Sequence, residues 1–302
     1  MNNMKTVKIP ANKRFTRAFH RSVKPSKVCL YVFMLAMVVF TMLPLIYLTV
    51  TAFKPMDELF LFPPRFFVRR PVTHNFRDLV MSLGGSTVPF LRYLINSVFV
   101  TAVTVTLTVI VCSMCAHGIA KLKPAGSNIL FMLSIAALMF SPHVTQISRY
   151  QVVNGLGLID SYWALILPSV AVPYSMFLMK QFLDQFPNEI LEAARIDGAG
   201  EFYTFWKVVM PSTAPAWSTL VVLSTVASWN DYFTPLVYTS SLSMKTLPLA
   251  LQMIAGGPAA VSIGRAGAVA AATFLMVIPV IVLYSVMQRK MIATMVHSGI
   301  KA

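Results

Sequence analysis

The sequence predicts an all-α integral membrane protein with six transmembrane helices and both termini in the cytoplasm. Three observations carry this expectation. Of the 302 residues, 57% are hydrophobic and only 12% are charged, about half the charge of an ordinary soluble domain. The apolar residues are gathered into six long, continuous stretches, giving a mean hydropathy of +0.70. The basic residues that produce the net charge of +15 are concentrated on one set of flanks, as the positive-inside rule requires. A soluble enzyme would need the missing charge to cover its surface, and a disordered chain would have the opposite composition.

Residues 1–27 form a basic cytoplasmic tail with eight Lys and Arg residues and no acid. The apolar run 28–53 is longer than the roughly 7–15 residues of a signal peptide and lacks a good small-x-small cleavage site, so it reads as an uncleaved first transmembrane helix. Residues 54–92 follow as an extracytoplasmic loop. The core, 93–288, holds the other five apolar stretches: 93–116, 128–147, 162–182, 214–237 and 268–287. Each approaches the roughly 20 residues a helix needs to cross the hydrocarbon, and all are too long and unbroken for barrel strands. Residues 289–302 close the chain as a second cytoplasmic tail. This arrangement places sixteen of the 25 basic residues inside. The loop 54–92 argues back with Lys54, Arg65, Arg69, Arg70, Arg77 and Arg92, but the amino-terminal cluster flanks the first span and is uncontested by acids.

The acids are distributed unevenly. Five of the ten, Asp184, Glu189, Glu192, Asp197 and Glu201, fall in one inner segment. The connection that holds them, 184–213, is long for a helix–helix link and reads as a docking element. Phe186-Pro187-Asn188-Glu189 has the chemistry of a helix start, with proline at the opening and an acid in the first turn. Ala193 and Ala194 keep one side of that helix thin, and Gly198 ends it or lets the chain turn closely.

The same segment carries a long motif: Glu192-Ala193-Ala194, three residues, Gly198, nine residues, then Val208-Val209-Met210-Pro211. In types and spacing it resembles the signature of the membrane subunits of binding-protein-dependent ABC importers, with Val208 and Met210 as conservative departures. Asn96-Ser97, the run from Gly155 to Ser161, Trp229-Asn230-Asp231 and the ending Ser298-Gly299-Ile300-Lys301 extend the resemblance over roughly residues 40–302, toward the carbohydrate branch and the smaller permease of the maltose transporter. The resemblance implies a type I importer permease fold and a defined set of partners. These are a second related permease, a cytoplasmic ATPase dimer, and an extracytoplasmic solute-binding protein that delivers a carbohydrate, an oligosaccharide or glycoside. It also implies a coupling helix formed by Glu192, Ala193, Ala194, Asp197 and Gly198, and a location in a bacterial-type cytoplasmic membrane. ATP and Mg would be held by the ATPase, with no cofactor on this chain and no enzymatic activity of its own. No lysine here follows a glycine, as a phosphate-binding loop would require.

Asn230 and Asp231 are read in two ways. Polar groups at membrane depth mark a pathway by default, and amides and carboxylates suit sugar hydroxyls; alternatively the pair caps or packs the end of its span. His143 and Arg149 are expected as interfacial anchors, or as contacts to the sugar or the docked binding protein. Cys112 and Cys115, spaced CxxC beside His117, lack the further ligands of a metal site, and the small residues of 255–272 favour close helix packing. A self-contained secondary transporter or channel is the rival reading. It would call for intramembrane acids or inverted repeats, and only Asp231 qualifies. A membrane-embedded enzyme would need clustered catalytic groups at depth.

Overall fold

A computed structural model describes residues 25–84, 88–141, 143–256 and 265–298 of the chain. The amino-terminal tail to residue 24, Pro142, Gly257 and Gly264 of the small-residue stretch, and the Gly299-Ile300-Lys301 ending lie outside the described residues. All regular structure among the described residues is helical. The chain divides into two compact units, 1–47 and 48–302.

The first unit is the greater part of α1 (Pro25–Ala52), a 28-residue helix whose apolar window has no buried residue. The second unit begins with the end of that helix, where Asn75 is fully buried and its amide donates to the carbonyls of Ala52 and Lys54 at 2.9 and 2.8 Å. The Ala52 carbonyl is one of those a helix terminus leaves without a partner. Asn75 opens α3 (His74–Gly84), which follows the short α2 (Met56–Leu59). A Cβ on Gly267 would collide with the Asn75 amide, so this member of the small-residue stretch is glycine because a buried side chain occupies its place.

The second unit is organised on α4 (Phe90–His117), extended by a π-helical turn, Gly118–Leu122. Half of its residues are buried, against helices on several sides. Next come α5 (Ser127–Leu138), α6 (Gln146–Gly155), α7 (Tyr162–Val170) and α8 (Pro173–Asp184). After them lie α9 (Asn188–Ile196), α10 (Glu201–Thr204), a second π-helical turn at Phe205–Val209, and α11 (Met210–Ser212). The chain ends with α12 (Ala214–Trp229), α13 (Phe233–Tyr238), α14 (Leu247–Ala255) and α15 (Ala266–Ser298). Three apolar clusters hold them together. One joins α3, the start of α4, α14 and α15; another joins the end of α4 to α8, α9, the second π turn and α12; the last joins the middle of α4 to α7. Trp229 adds a polar tie, its indole N–H donating to the Met276 carbonyl at 2.9 Å.

Among the described residues three helices are long and apolar enough to cross a membrane: Ser26–Ala52, Phe90–Leu122 and Ala266–Arg289. The other three expected stretches are interrupted. The stretch 128–147 is helical to Leu138 and again from Gln146. The stretch 162–182 is broken at Ala171-Val172 and bent by 42°, since Pro173 has no N–H to continue the ladder. The stretch 214–237 divides at Asn230–Tyr232. Residues 54–92, expected as an extracytoplasmic loop, contain α2 and α3.

One face of the second unit is tied by a polar network that accounts for several of the motif residues. The Asn96 amide donates to the carbonyls of Ser243 and Lys245 at 2.8 and 2.9 Å and accepts from the Tyr162 hydroxyl at 2.8 Å. Ser97 accepts from the Leu247 N–H at 2.7 Å at the start of α14. Asp160, at φ +61°, accepts from the Ser240 and Ser241 N–H groups and from the Ser241 hydroxyl. The Ser241 hydroxyl first, then these backbone N–H groups, hold the Asp160 carboxyl below its usual range. A depressed folded-state pKa stabilises above the unfolded value and is lost as pH falls through the folded one. Amide exchange in 239–246 is therefore expected to be slow at neutral pH and to accelerate, corrected for intrinsic rate, only below the ordinary carboxylate pKa. Asp160→Ala should make it fast at every pH.

Candidate functional site

The segment from Asp184 to Ser212 is built so that a short helix stands out on a firmly held base. Lys180 pairs with Asp184 at 2.7 Å at the end of α8, and its ammonium lies 4.1 Å from the Phe131 ring. The Lys121 ammonium, on the π-helical extension of α4, donates to the Phe186 carbonyl at 2.6 Å and to Asn188 Oδ1 at 2.8 Å. That fixes the entry of α9. Leu191 is the one residue of α9 buried in the chain, where it packs with Phe205, Val209, Met179 and Leu183. Phe205 and Val209, at the two ends of the second π turn, are both buried.

Gly198 ends the helix in a defined way. Its φ is +81°, the Ala199 N–H reaches back to the Ala194 carbonyl and the Gly198 N–H to the Arg195 carbonyl, both at 3.0 Å. This is the paired bonding of a Schellman cap with glycine in the left-handed position. Arg195 then spans the turn, its guanidinium meeting Glu201 Oε1 at 2.8 and 2.9 Å; exposed pairs of this kind contribute ~0–1 kcal/mol.

Of the five residues expected to form the coupling element, Glu192, Ala193, Asp197 and Gly198 are exposed and Ala194 is half-buried. Beside them are large apolar side chains that the motif does not mark: Ile196 is 87% exposed, Phe202 69% and Tyr203 60%. Exposed apolar groups gathered on neighbouring short helices, Ile196 on α9 and Phe202 and Tyr203 on α10, signal a partner surface. Their types were readable in the sequence; their exposure was not.

Asn230 and Asp231, adjacent in sequence, separate in space. The Asn230 amide turns back to the Val226 carbonyl at 2.8 Å and closes the end of α12. Asp231 Oδ1 accepts from the Phe233 and Thr234 N–H groups, both at 3.0 Å, and starts α13. Asp231 also lines a cleft of about 490 Å³ with Thr104, Arg149, Ser169, Ser224 and Ser228. The Ala171-Val172 break contributes to its wall, and irregular backbone at membrane depth is tolerated where it lines a cavity. Thr104 is buried with no hydrogen-bond partner for its hydroxyl. Arg149 and Asp231 also line an adjoining hollow of about 400 Å³. His143 stands outside both, near Gln146. Cys112 is buried and Cys115 exposed, and both thiols are free.

The geometry matches a known class of membrane proteins. The chain belongs to the family of binding-protein-dependent transport system inner membrane components, whose model matches residues 15–295. It is 26% identical over 275 residues to the arabinooligosaccharides transport system permease protein AraQ of Bacillus subtilis, covering 91% of this chain and 96% of that one. With the sn-glycerol-3-phosphate transport system permease protein UgpE of Yersinia pestis it shares 32% identity over 217 residues, 72% of this chain and 76% of the other. Its fold is that of a chain in the crystal structure of a bacterial ABC transporter involved in import of the acidic polysaccharide alginate. That likeness has a TM-score of 0.76 at 20% identity and covers 90% of this chain and 98% of that one. The fold is therefore that of a type I ABC importer permease.

Proposed function

We propose that this chain is one of two related permease subunits of an ATP-driven importer in a bacterial cytoplasmic membrane, and that its cargo is a carbohydrate, an oligosaccharide or glycoside. The observation that carries the reading is α9. A helix with one inward residue, a firm base and exposed Ile196, followed by α10 with exposed Phe202 and Tyr203, is made to seat in another protein and transmit its movement. The occupant proposed is a subunit of a cytoplasmic ATPase dimer, which would hold ATP and Mg. An extracytoplasmic binding protein would deliver the cargo. Closure of the ATPases would swing the helix bundle between inward- and outward-facing states, rigid-body switching driven by differential binding.

Six spans follow on this reading if the short α5, the broken pair α7–α8 and the run α12–α13 each count as one crossing with α1, α4 and α15. Both termini are then cytoplasmic. The names of AraQ and of the alginate transporter support the carbohydrate class, while that of UgpE shows that cargo varies among relatives. The hydroxyl-lined cleft with Arg149 and Asp231 is the proposed stretch of pathway, and Asn230 is left to structure.

The test is gentle purification of the tagged chain from its native membrane, with the co-purifying chains identified and reconstituted. An ATPase and a second permease should be recovered. Uptake should require both and should fall in Asp231→Ala, whereas Asn230→Ala leaves it near normal. Recovery of a homo-oligomer that transports without an ATPase would instead establish a secondary transporter.

A further inference from the structure

The loop that follows α1 is folded inside out. The Val72 N–H donates to the Phe53 carbonyl at 2.9 Å and closes the segment 53–72 at its base. Within it, Lys54 is only 2% exposed and Glu58 8%. The Lys54 ammonium donates to the Arg65 carbonyl, and Glu58 Oε2 accepts from the Arg69 N–H at 3.1 Å. The aromatic side chains lie on the outside: Phe62 is 93% exposed, Phe67 70% and Phe60 55%. A loop in water does the reverse, since a buried ammonium or carboxylate costs free energy unless it is paired and an exposed phenyl ring forgoes its burial.

Around the rings stand Arg65, Arg69 and Arg70, all exposed, whose guanidinium groups make no hydrogen bond or ion pair among the described residues. The loop begins one residue after the end of the apolar helix α1, which places its roots at the edge of a bilayer. Apolar rings beside long basic side chains, at the depth where a span ends, match the chemistry of a membrane interface: rings enter the boundary of acyl chains and headgroups, and guanidiniums meet phosphate.

We infer that segment 53–72 is an interfacial anchor, with Phe60, Phe62 and Phe67 inserted into the leaflet at which α1 ends and Arg65, Arg69 and Arg70 bound to phosphates of anionic phospholipid. The same assignment accounts for Arg65, Arg69 and Arg70, three of the six basic residues in a loop that the positive-inside rule would leave poor in charge.

The test uses the full chain in liposomes of phosphatidylethanolamine and phosphatidylglycerol. Cys29, Cys112 and Cys115 are replaced, and a nitroxide is attached at Phe62→Cys or, separately, Phe67→Cys. Both are surface positions; Phe67 also meets the Phe66 ring edge-on at 5.2 Å, so Phe62→Cys is the less disturbing of the two. Collision with oxygen relative to a water-soluble nickel chelate should be severalfold higher at both sites than at a label on Glu192→Cys, and lower than that on Leu35→Cys near the middle of α1. The ratio should fall in liposomes of phosphatidylcholine alone, and the triple change Arg65→Gln, Arg69→Gln, Arg70→Gln should remove that lipid dependence. Labels as open to water as position 192 would overturn the assignment. So would protection arising only when an extracytoplasmic binding protein is added, which would make this loop a protein-docking surface. A lipid dependence that survives the triple change would remove the arginines from it.

Discussion

Replacing Gly198 by valine is expected to abolish uptake and the coupling of ATP hydrolysis to it while leaving the chain in the membrane at normal level. The cause is backbone conformation. Gly198 sits at φ +81°, a region that costs an L-residue ~1–2 kcal/mol and a β-branched one more. A Cβ built on it meets nothing within 4 Å in its own chain, so no internal clash is available to explain a loss. The strain falls on a nine-residue helix, which is too short to be stable by itself, and on the Schellman cap that satisfies its last carbonyls. Asparagine tolerates the left-handed region far better than valine or alanine. Backbone control therefore predicts that Gly198→Asn keeps a measurable part of the activity, Gly198→Ala less and Gly198→Val none, read as binding-protein-stimulated ATP hydrolysis in the reconstituted complex. Equal loss in Asn and Val would mean that glycine is required by close approach of the partner and not by the cap.

That distinction shows how far the sequence alone could be read. The spacing of Glu192-Ala193-Ala194 and Gly198 located the element and its end, because caps are local chemistry written in consecutive residues. α1, α4 and α15 were legible for a similar reason: an uninterrupted apolar run has one helical solution in a membrane. The interrupted stretches were harder. A hydropathy window averages over Pro173 and over Asp231, yet one removes a backbone donor and the other supplies a side-chain acceptor to a new helix, and each ends a run that the average treats as continuous. Asn230 and Asp231 were one candidate in the sequence because they are neighbours. In the fold one turns back on Val226 and the other forward to Phe233 and Thr234, and only the second reaches the cleft. Arg149 joins that cleft from α6, and no spacing rule links it to Asp231. The inside-out loop was visible only as an excess of arginine. Its meaning rests on which side chains Lys54 and Glu58 displace from the interior, and that is a tertiary fact.

Leu191 and Ile196 offer a sharper test of the coupling element, because they are similar apolar residues of the same helix with opposite surroundings. Leu191 is its only buried residue and enters the cluster of Phe205, Val209, Met179 and Leu183. Truncating a buried leucine to alanine costs ~2–5 kcal/mol, more than a nine-residue helix can replace from its own hydrogen bonds. Leu191→Ala should therefore release α9 in the isolated chain, with rapid amide exchange over 188–199 and unchanged protection in α4 and α12. Ile196 is almost wholly exposed and supports nothing within the chain, so Ile196→Asp should leave that exchange pattern as it was. Both variants should lose transport, Leu191→Ala because the helix is no longer presented and Ile196→Asp because a charge now faces the surface it enters. Transport retained in Ile196→Asp would place the docking face elsewhere on the segment. Normal exchange in Leu191→Ala would mean that Lys121, through the Phe186 carbonyl and Asn188, holds the helix without it.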